Sequence, residues 1–153
     1  SGALNDLGSM YFKQKNYDKA KAIFAAALKK FPQDLDLLSN DLELSLVQKD
    51  RVRFQKRLNV LLRVLKPENN RYIVVSFLSY LENTQQGYQS VIETIEKDKE
   101  FRLGWEFSTL QLAIQRQDPK TQKIAHLFID FFEERLDLKT LKTRLAELEK
   151  QRP

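Results

Sequence analysis

The sequence predicts an all-α fold: antiparallel helix pairs stacked in series, closed by a C-terminal capping helix. Three observations predict it. Leu, Lys, Gln, Glu and Ala dominate the 153 residues, which hold only four Gly and four Pro, so good helix formers are plentiful and breakers are scarce. Apolar residues recur at the three-to-four spacing of a helix face. Pro67 follows Pro32 by 35 residues, and two helix-sized segments fit in each such interval.

The first two helices, expected over 3–14 and 17–30, carry the most regular pattern. Leu4, Leu7, Gly8, Tyr11, Ala20, Phe24, Ala27 and Pro32 fall on the spacing W-x2-L-G-x2-Y…A-x3-F…P, with Leu4 in place of the Trp. Gly8 and Ala20 are small where two helices come close, Tyr11, Phe24 and Ala27 fill the seam, and Pro32 stops the second helix. With Tyr17 in the intervening turn, these residues resemble the tetratricopeptide repeat family. That resemblance implies that the pairs stack as a right-handed superhelix, a TPR-like α-solenoid, and serve as a non-enzymatic scaffold whose concave groove binds a peptide or a helix; family habit places such a module in a larger bacterial assembly, secretion or envelope protein.

The later units keep the period and lose the motif. Helices over 34–48 and 50–65 place Leu38, Leu42 and Ser45, then Phe54, Leu58 and Leu61, where the first unit has Leu4, Gly8, Tyr11, Ala20, Phe24 and Ala27. A third unit over 69–82 and 86–98 joins Ile73, Phe77 and Tyr80 to Val91, Ile92 and Ile95 through a turn in which Gly87-Tyr88 echoes Asn16-Tyr17. A fourth, over 101–116 and 118–135, starts near Phe101 and Trp105 and turns at Asp118-Pro119, an N-cap followed by a first-turn proline. Leu138, Leu141, Leu145 and Leu148 make one apolar stripe on a ninth helix, 138–151, expected as the cap. No linker divides the chain, so one domain over 1–153 is expected, with repeats near 1–33, 34–67, 68–99 and 100–136 and the cap over 137–151. Ser1-Gly2-Ala3 reads as a cloning scar, so a fragment of a longer protein is expected. Cytoplasm and periplasm both stay open, as does the oligomeric state.

Chemistry is sparse. The absence of cysteine removes thiolate nucleophiles and thiolate metal sites. No Gly-rich phosphate loop, nucleophile elbow or paired-histidine metal motif occurs. His126 is the single histidine, and although Asp130 stands one turn on, a catalytic or metal site needs more converging groups. The acidic pairs Glu133-Glu134, Asp34 with Asp36 and Asp41 with Glu43 read as solvated surface. Neither enzyme activity nor a metal or cofactor is expected.

Two surfaces are candidates. Carried over from the family, the groove would be lined by the first helix of each pair: Asn5, Ser9, Phe12 and Lys13; Ser39, Asn40, Glu43 and Val47; Arg71, Val74, Val75 and Leu78; and Glu106, Phe107 and Leu110. Asn and Arg can pair with a peptide backbone, and the valines and Phe107 can hold apolar anchors. Members that grip acidic C-terminal tails use Lys and Asn where this chain has Asn5 and Ser9, so binding of a free acidic carboxylate is not expected. The second surface follows from a net charge of +5 and an acid-free run from Arg51 to Pro67. There Arg53, Lys56 and Arg63 would form a ridge for RNA or another anionic polymer, the alternative reading. The one aromatic among them, Phe54, is expected to point inward, away from any stacking role.

Overall fold

A computed structural model describes residues 1–66, 68–97 and 106–151. Pro67, Phe101, Gly104 and Trp105 lie outside the described residues, as does the start of the expected fourth unit. All regular structure among the described residues is helical, and the chain packs as two compact units, Ser1–Lys99 and Glu100–Pro153.

The first unit holds three antiparallel pairs: α1 (Gly2–Lys13) with α2 (Tyr17–Lys30), α3 (Leu35–Val47) with α4 (Arg51–Val64), and α5 (Arg71–Glu82) with α6 (Gln89–Glu96). The first two pairs turn alike. Lys15 and Lys49 adopt left-handed φ values of 62° and 58°. In each turn the N–H after that lysine bonds back to a carbonyl five residues earlier, Asn16 to Tyr11 and Asp50 to Ser45, which ends one helix and starts the next within three residues. The third pair takes a longer route through a 3-10 turn at Thr84–Gln86 and Gly87 at φ 76°. Tyr17 and Tyr88 do the same work in the two kinds of turn: each sets its ring edge-on to an aromatic of the preceding helix, Phe12 at 6.0 Å and Tyr80 at 6.1 Å.

Pair packing follows side-chain size. A Cβ on Gly8 would lie 2.8 Å from both Cδ1 and Cζ of Phe24, so the absence of a side chain there is what lets α1 and α2 close around the buried ring. Ala20, Phe24, Ala27 and Leu28 form the buried stripe of α2. The second pair fills the same seam with Leu42, Phe54 and Leu61, all 1% exposed or less. Successive pairs then stack through their first helices, α1 on α3 and α3 on α5, with α2 also against α3. With α4 beside it as well, α3 is covered on four sides, and it is buried from Leu37 to Val47 with only Asn40 part-exposed. Its polar residues are therefore inside. Asp41 and Glu43, expected as solvated surface acids, are 1% and 3% exposed. The hydroxyls of Ser39 and Ser45 stay satisfied by donating to the carbonyls of Leu35 and Leu42, at 2.6 and 2.7 Å.

The second unit is built differently from the expected helix pair. The described part of 101–116 is a 3-10 turn at Ser108–Leu110 running into the short α7 (Gln111–Gln115), and the long hairpin pairs α8 (Pro119–Phe132) with α9 (Leu138–Lys150). Asp118 caps α8 by accepting the Thr121 N–H at 3.3 Å, with Pro119 in the first turn. Asp137 caps α9 through the Thr140 N–H at 2.7 Å. Glu134, at φ 63°, repeats the left-handed turn of the first two pairs. Leu141, Leu145 and Leu148 are the buried stripe of α9, as its amphipathic pattern predicts.

Candidate functional site

The inner helices α1, α3 and α5 bring five of the expected groove residues together. Asn5 and Ser9 stand one turn apart on α1, and Asn40 faces them from α3. The Asn40 Nδ2 donates to Asn5 Oδ1 at 2.7 Å and reaches Ser9 Oγ at 3.4 Å. Also on α3, Ser39, next to Asn40, and Asp36, one turn earlier than Asn40, face Arg71, the first residue of α5. The Arg71 guanidinium donates to Asp36 Oδ1 at 2.6 Å through Nη2 and to Ser39 Oγ at 3.5 Å through Nη1. A polar seam thus crosses the first helices of all three pairs, with Asn5, Ser9, Asn40 and Arg71 part-exposed and Lys13 exposed along it.

The other groove residues are spent on the core. Phe12, Glu43, Val47, Val74, Val75 and Leu78 are all buried, none above 5% exposed, and Ser39, although it meets Arg71, is buried as well. The expectation that the valines offer apolar anchors is corrected accordingly, because α5 packs against both α3 and α6, and Phe12, expected on the groove, packs edge-on to Tyr17 within its own pair. Phe107 is corrected too. It precedes the 3-10 turn instead of lying mid-helix, is 1% exposed, and stacks on Phe132 with ring centroids 5.3 Å apart and planes 18° apart. Leu110 is likewise buried, while Glu106 is exposed and accepts the Ser108 hydroxyl at 2.7 Å.

The basic ridge loses its first member. Arg53, expected to point outward, is 9% exposed. Its Nη1 meets Asp50 Oδ2 at 3.2 Å and its Nη2 donates to Gln48 Oε1 at 2.7 Å. Its Nε makes no hydrogen bond, but lies 3.4 Å from Asp41 Oδ1, a buried atom also without one, so the two are matched by charge and not by geometry. The second oxygen of Asp41 accepts from Arg57 Nε at 2.7 Å. Asp50 is pulled in twice. It caps α4 through the Arg53 N–H, and that bond, with the nearby charges of Arg53 and Lys21, holds its carboxyl below the usual carboxylate range. Arg51 pairs with Glu82 at 2.9 Å. Lys56 and Arg63 remain exposed.

Sequence reasoning missed Asp36 and Asp41 as partners. Asp36 was grouped with Asp34 as solvated surface, yet it stands 35 residues before Arg71, close to one repeat, and opposite charges one repeat apart on first helices are a usable signal. His126 is exposed on α8, beside an open cleft of about 360 Å³ that also involves Lys123, Asp130, Arg144 and Glu147. Asp130, one turn on from His126, gives its carboxylate to Arg135 at 2.9 Å. Among the described residues, no cluster of three or more His, Asp or Glu is placed to hold a metal ion. Among them, too, no helix is long and apolar enough to cross a membrane.

Stacked helix hairpins with a polar seam along their first helices define the class: a helical-repeat protein. The family of its first pair is specific, because residues 1–34 match the tetratricopeptide repeat model, and this pair is a tetratricopeptide repeat. The second and third pairs continue its packing with other residues. Neither the comparison with curated proteins nor that with solved structures returned a match. Tetratricopeptide repeats generally mediate contacts between proteins.

Proposed function

We propose that the chain is a protein-binding module whose seam on α1, α3 and α5 receives a segment of a partner, as an extended peptide or a helix. One observation carries the reading. Asn40 spends its NH2 on Asn5 and Ser9, which leaves the Asn40 carbonyl oxygen and the Asn5 NH2 without a partner among the described residues. A part-exposed acceptor beside a part-exposed donor is the complement of a backbone amide, which presents one of each. Holding both asparagines in place beforehand also lowers the ordering cost of binding.

Affinity would come from main-chain hydrogen bonds along the seam, because the apolar residues once expected as anchors are buried in the fold. The ridge reading, binding to an anionic polymer, retains only Lys56 and Arg63 and is not proposed.

A photo-crosslinking residue placed at Ser9, against one placed at Lys56 on the outer face of α4, tests the reading in cell extract. A discrete crosslinked protein is expected from position 9, absent from position 56 and lost with Asn40→Ala. The same products from both positions, or products indifferent to Asn40→Ala, would overturn it.

A further inference from the structure

We infer that Asp36 is a specificity-determining residue of the seam: by occupying Arg71 from the solvent side, it makes the site accept uncharged peptide segments and turn carboxylates away. The inference rests on the seam being the binding surface. Its ground is the ion pair that Arg71 of α5 and Asp36 of α3 make there. The Arg71 side chain is 22% exposed and that of Asp36 61% exposed, with 2.6 Å between Nη2 and Oδ1. The acid is the outer member. A ligand reaching Arg71 therefore meets a carboxylate first, and the guanidinium behind it is already engaged by Asp36 and Ser39.

Two consequences follow for an incoming carboxylate. It is repelled by Asp36 at close range, and it must displace Asp36 from Arg71 before it gains a charge-assisted bond of its own. An amide escapes both penalties, and Asn5 and Asn40 on the adjoining turns already present an amide-matching donor and acceptor. Charge and hydrogen-bond pattern therefore select the same ligand, an uncharged polar segment. Arg71 itself is geometrically suited to a carboxylate, since its planar fork matches two oxygens. The preference for neutral ligands is thus set by Asp36 and reversible by one substitution.

Selection from a displayed library of random 12-residue peptides tests this on the full chain, comparing wild type, Asp36→Asn and Asp36→Asn with Arg71→Ala. Peptides taken by wild type are expected to be depleted in Asp and Glu. Asp36→Asn should enrich acidic peptides, and a synthetic acidic peptide from that pool should bind it about fivefold more tightly than wild type. Adding Arg71→Ala should cancel the gain. Equal acid content in the wild-type and Asp36→Asn pools, or a gain that survives loss of Arg71, overturns the role of Asp36 while leaving the seam intact. Failure of all three proteins to select any peptide sinks the seam reading itself. Asp36→Ser serves as a second neutralising variant, and unfolding midpoints of each protein separate altered binding from altered folding.

Discussion

The Asn40 amide nitrogen lies 2.7 Å from Oδ1 of Asn5, joining residues 35 positions apart across the face where α1 and α3 meet. The bond is part-buried, so each partner released by a substitution regains some water. Asn5→Ala and Asn40→Ala are each expected to cost about 1 kcal/mol of stability, with Asn40→Ala the costlier because it also abandons Ser9. Urea unfolding of both single variants and the double variant should show a coupling of about 0.5–1 kcal/mol. Strict additivity would mean that the two amides are not paired in solution.

Asp41 is 1% exposed, with Arg57 and Arg53 on its two oxygens. Asp41→Ala leaves Arg57 without its carboxylate while Arg53 keeps Asp50 and Gln48, so a loss of about 3 kcal/mol is expected. The matching positions of the first repeat carry no charge: Leu7, there 39% exposed, and the part-buried Ile23 stand 34 positions before Asp41 and Arg57. Transplanting them as Asp41→Leu with Arg57→Ile should restore stability to within about 1 kcal/mol of wild type, since a buried ion pair replaced by apolar residues of fitting volume is often neutral. A double variant no better than Asp41→Ala, measured by urea unfolding, would show that the ion pair itself is needed.

The same comparison explains what could be read in advance. The first pair was legible because Gly8, Ala20 and Phe24 are size choices that make sense only between close helices, and the helix pattern was legible throughout unit 1 from spacing alone. That Asn5, Ser9, Asn40 and Arg71 lie along one face of the first helices was legible because repeat spacing fixes which helix face they occupy. Burial of Asp41, Arg53 and Glu43 was not. A charged residue looks the same in sequence whether it meets water or a counter-charge, and the cover on α3 comes from four helices that no local window contains. Phe107 was misplaced for a related reason: helix-forming residues around it favoured a continuous helix, while stacking on Phe132 and a 3-10 turn decided its position.

Gly8 tests how tightly the first pair is closed. Gly8→Ala should gain up to about 1 kcal/mol from helix propensity, but its methyl group would fall against the Phe24 ring, which is 0% exposed and cannot swing into solvent. Overpacking of a filled core costs about 1–3 kcal/mol, so a net loss of about 1 kcal/mol is expected. Thermal or urea unfolding decides the sign. Combining Gly8→Ala with Phe24→Leu should recover part of the loss if the ring is its cause, whereas a stabilised single variant would mean that α1 and α2 separate easily.

Acid should loosen the helix starts together. Asp50 is held low first by the Arg53 N–H, Asp118 by the Thr121 hydroxyl and Asp137 by Thr140. At Asp34 burial pushes upward, but the Leu37 N–H and Ser1 outweigh it and leave the group below its ordinary value. All four are N-caps whose charged form the folded chain prefers. Their folded pKa values therefore lie below the unfolded ones, and in that interval the unfolded chain binds more protons. The stabilisation is complete above the unfolded value of about 4 and is lost as pH falls through the folded values. Urea unfolding from pH 5 downward, to about pH 2.5, should show stability falling with acid. Asp50→Asn keeps a capping oxygen without the charge, so it should unfold more easily than wild type at pH 5 and converge on it in acid. A gap between the two proteins that does not narrow as the pH drops would remove Asp50 from the titrating set.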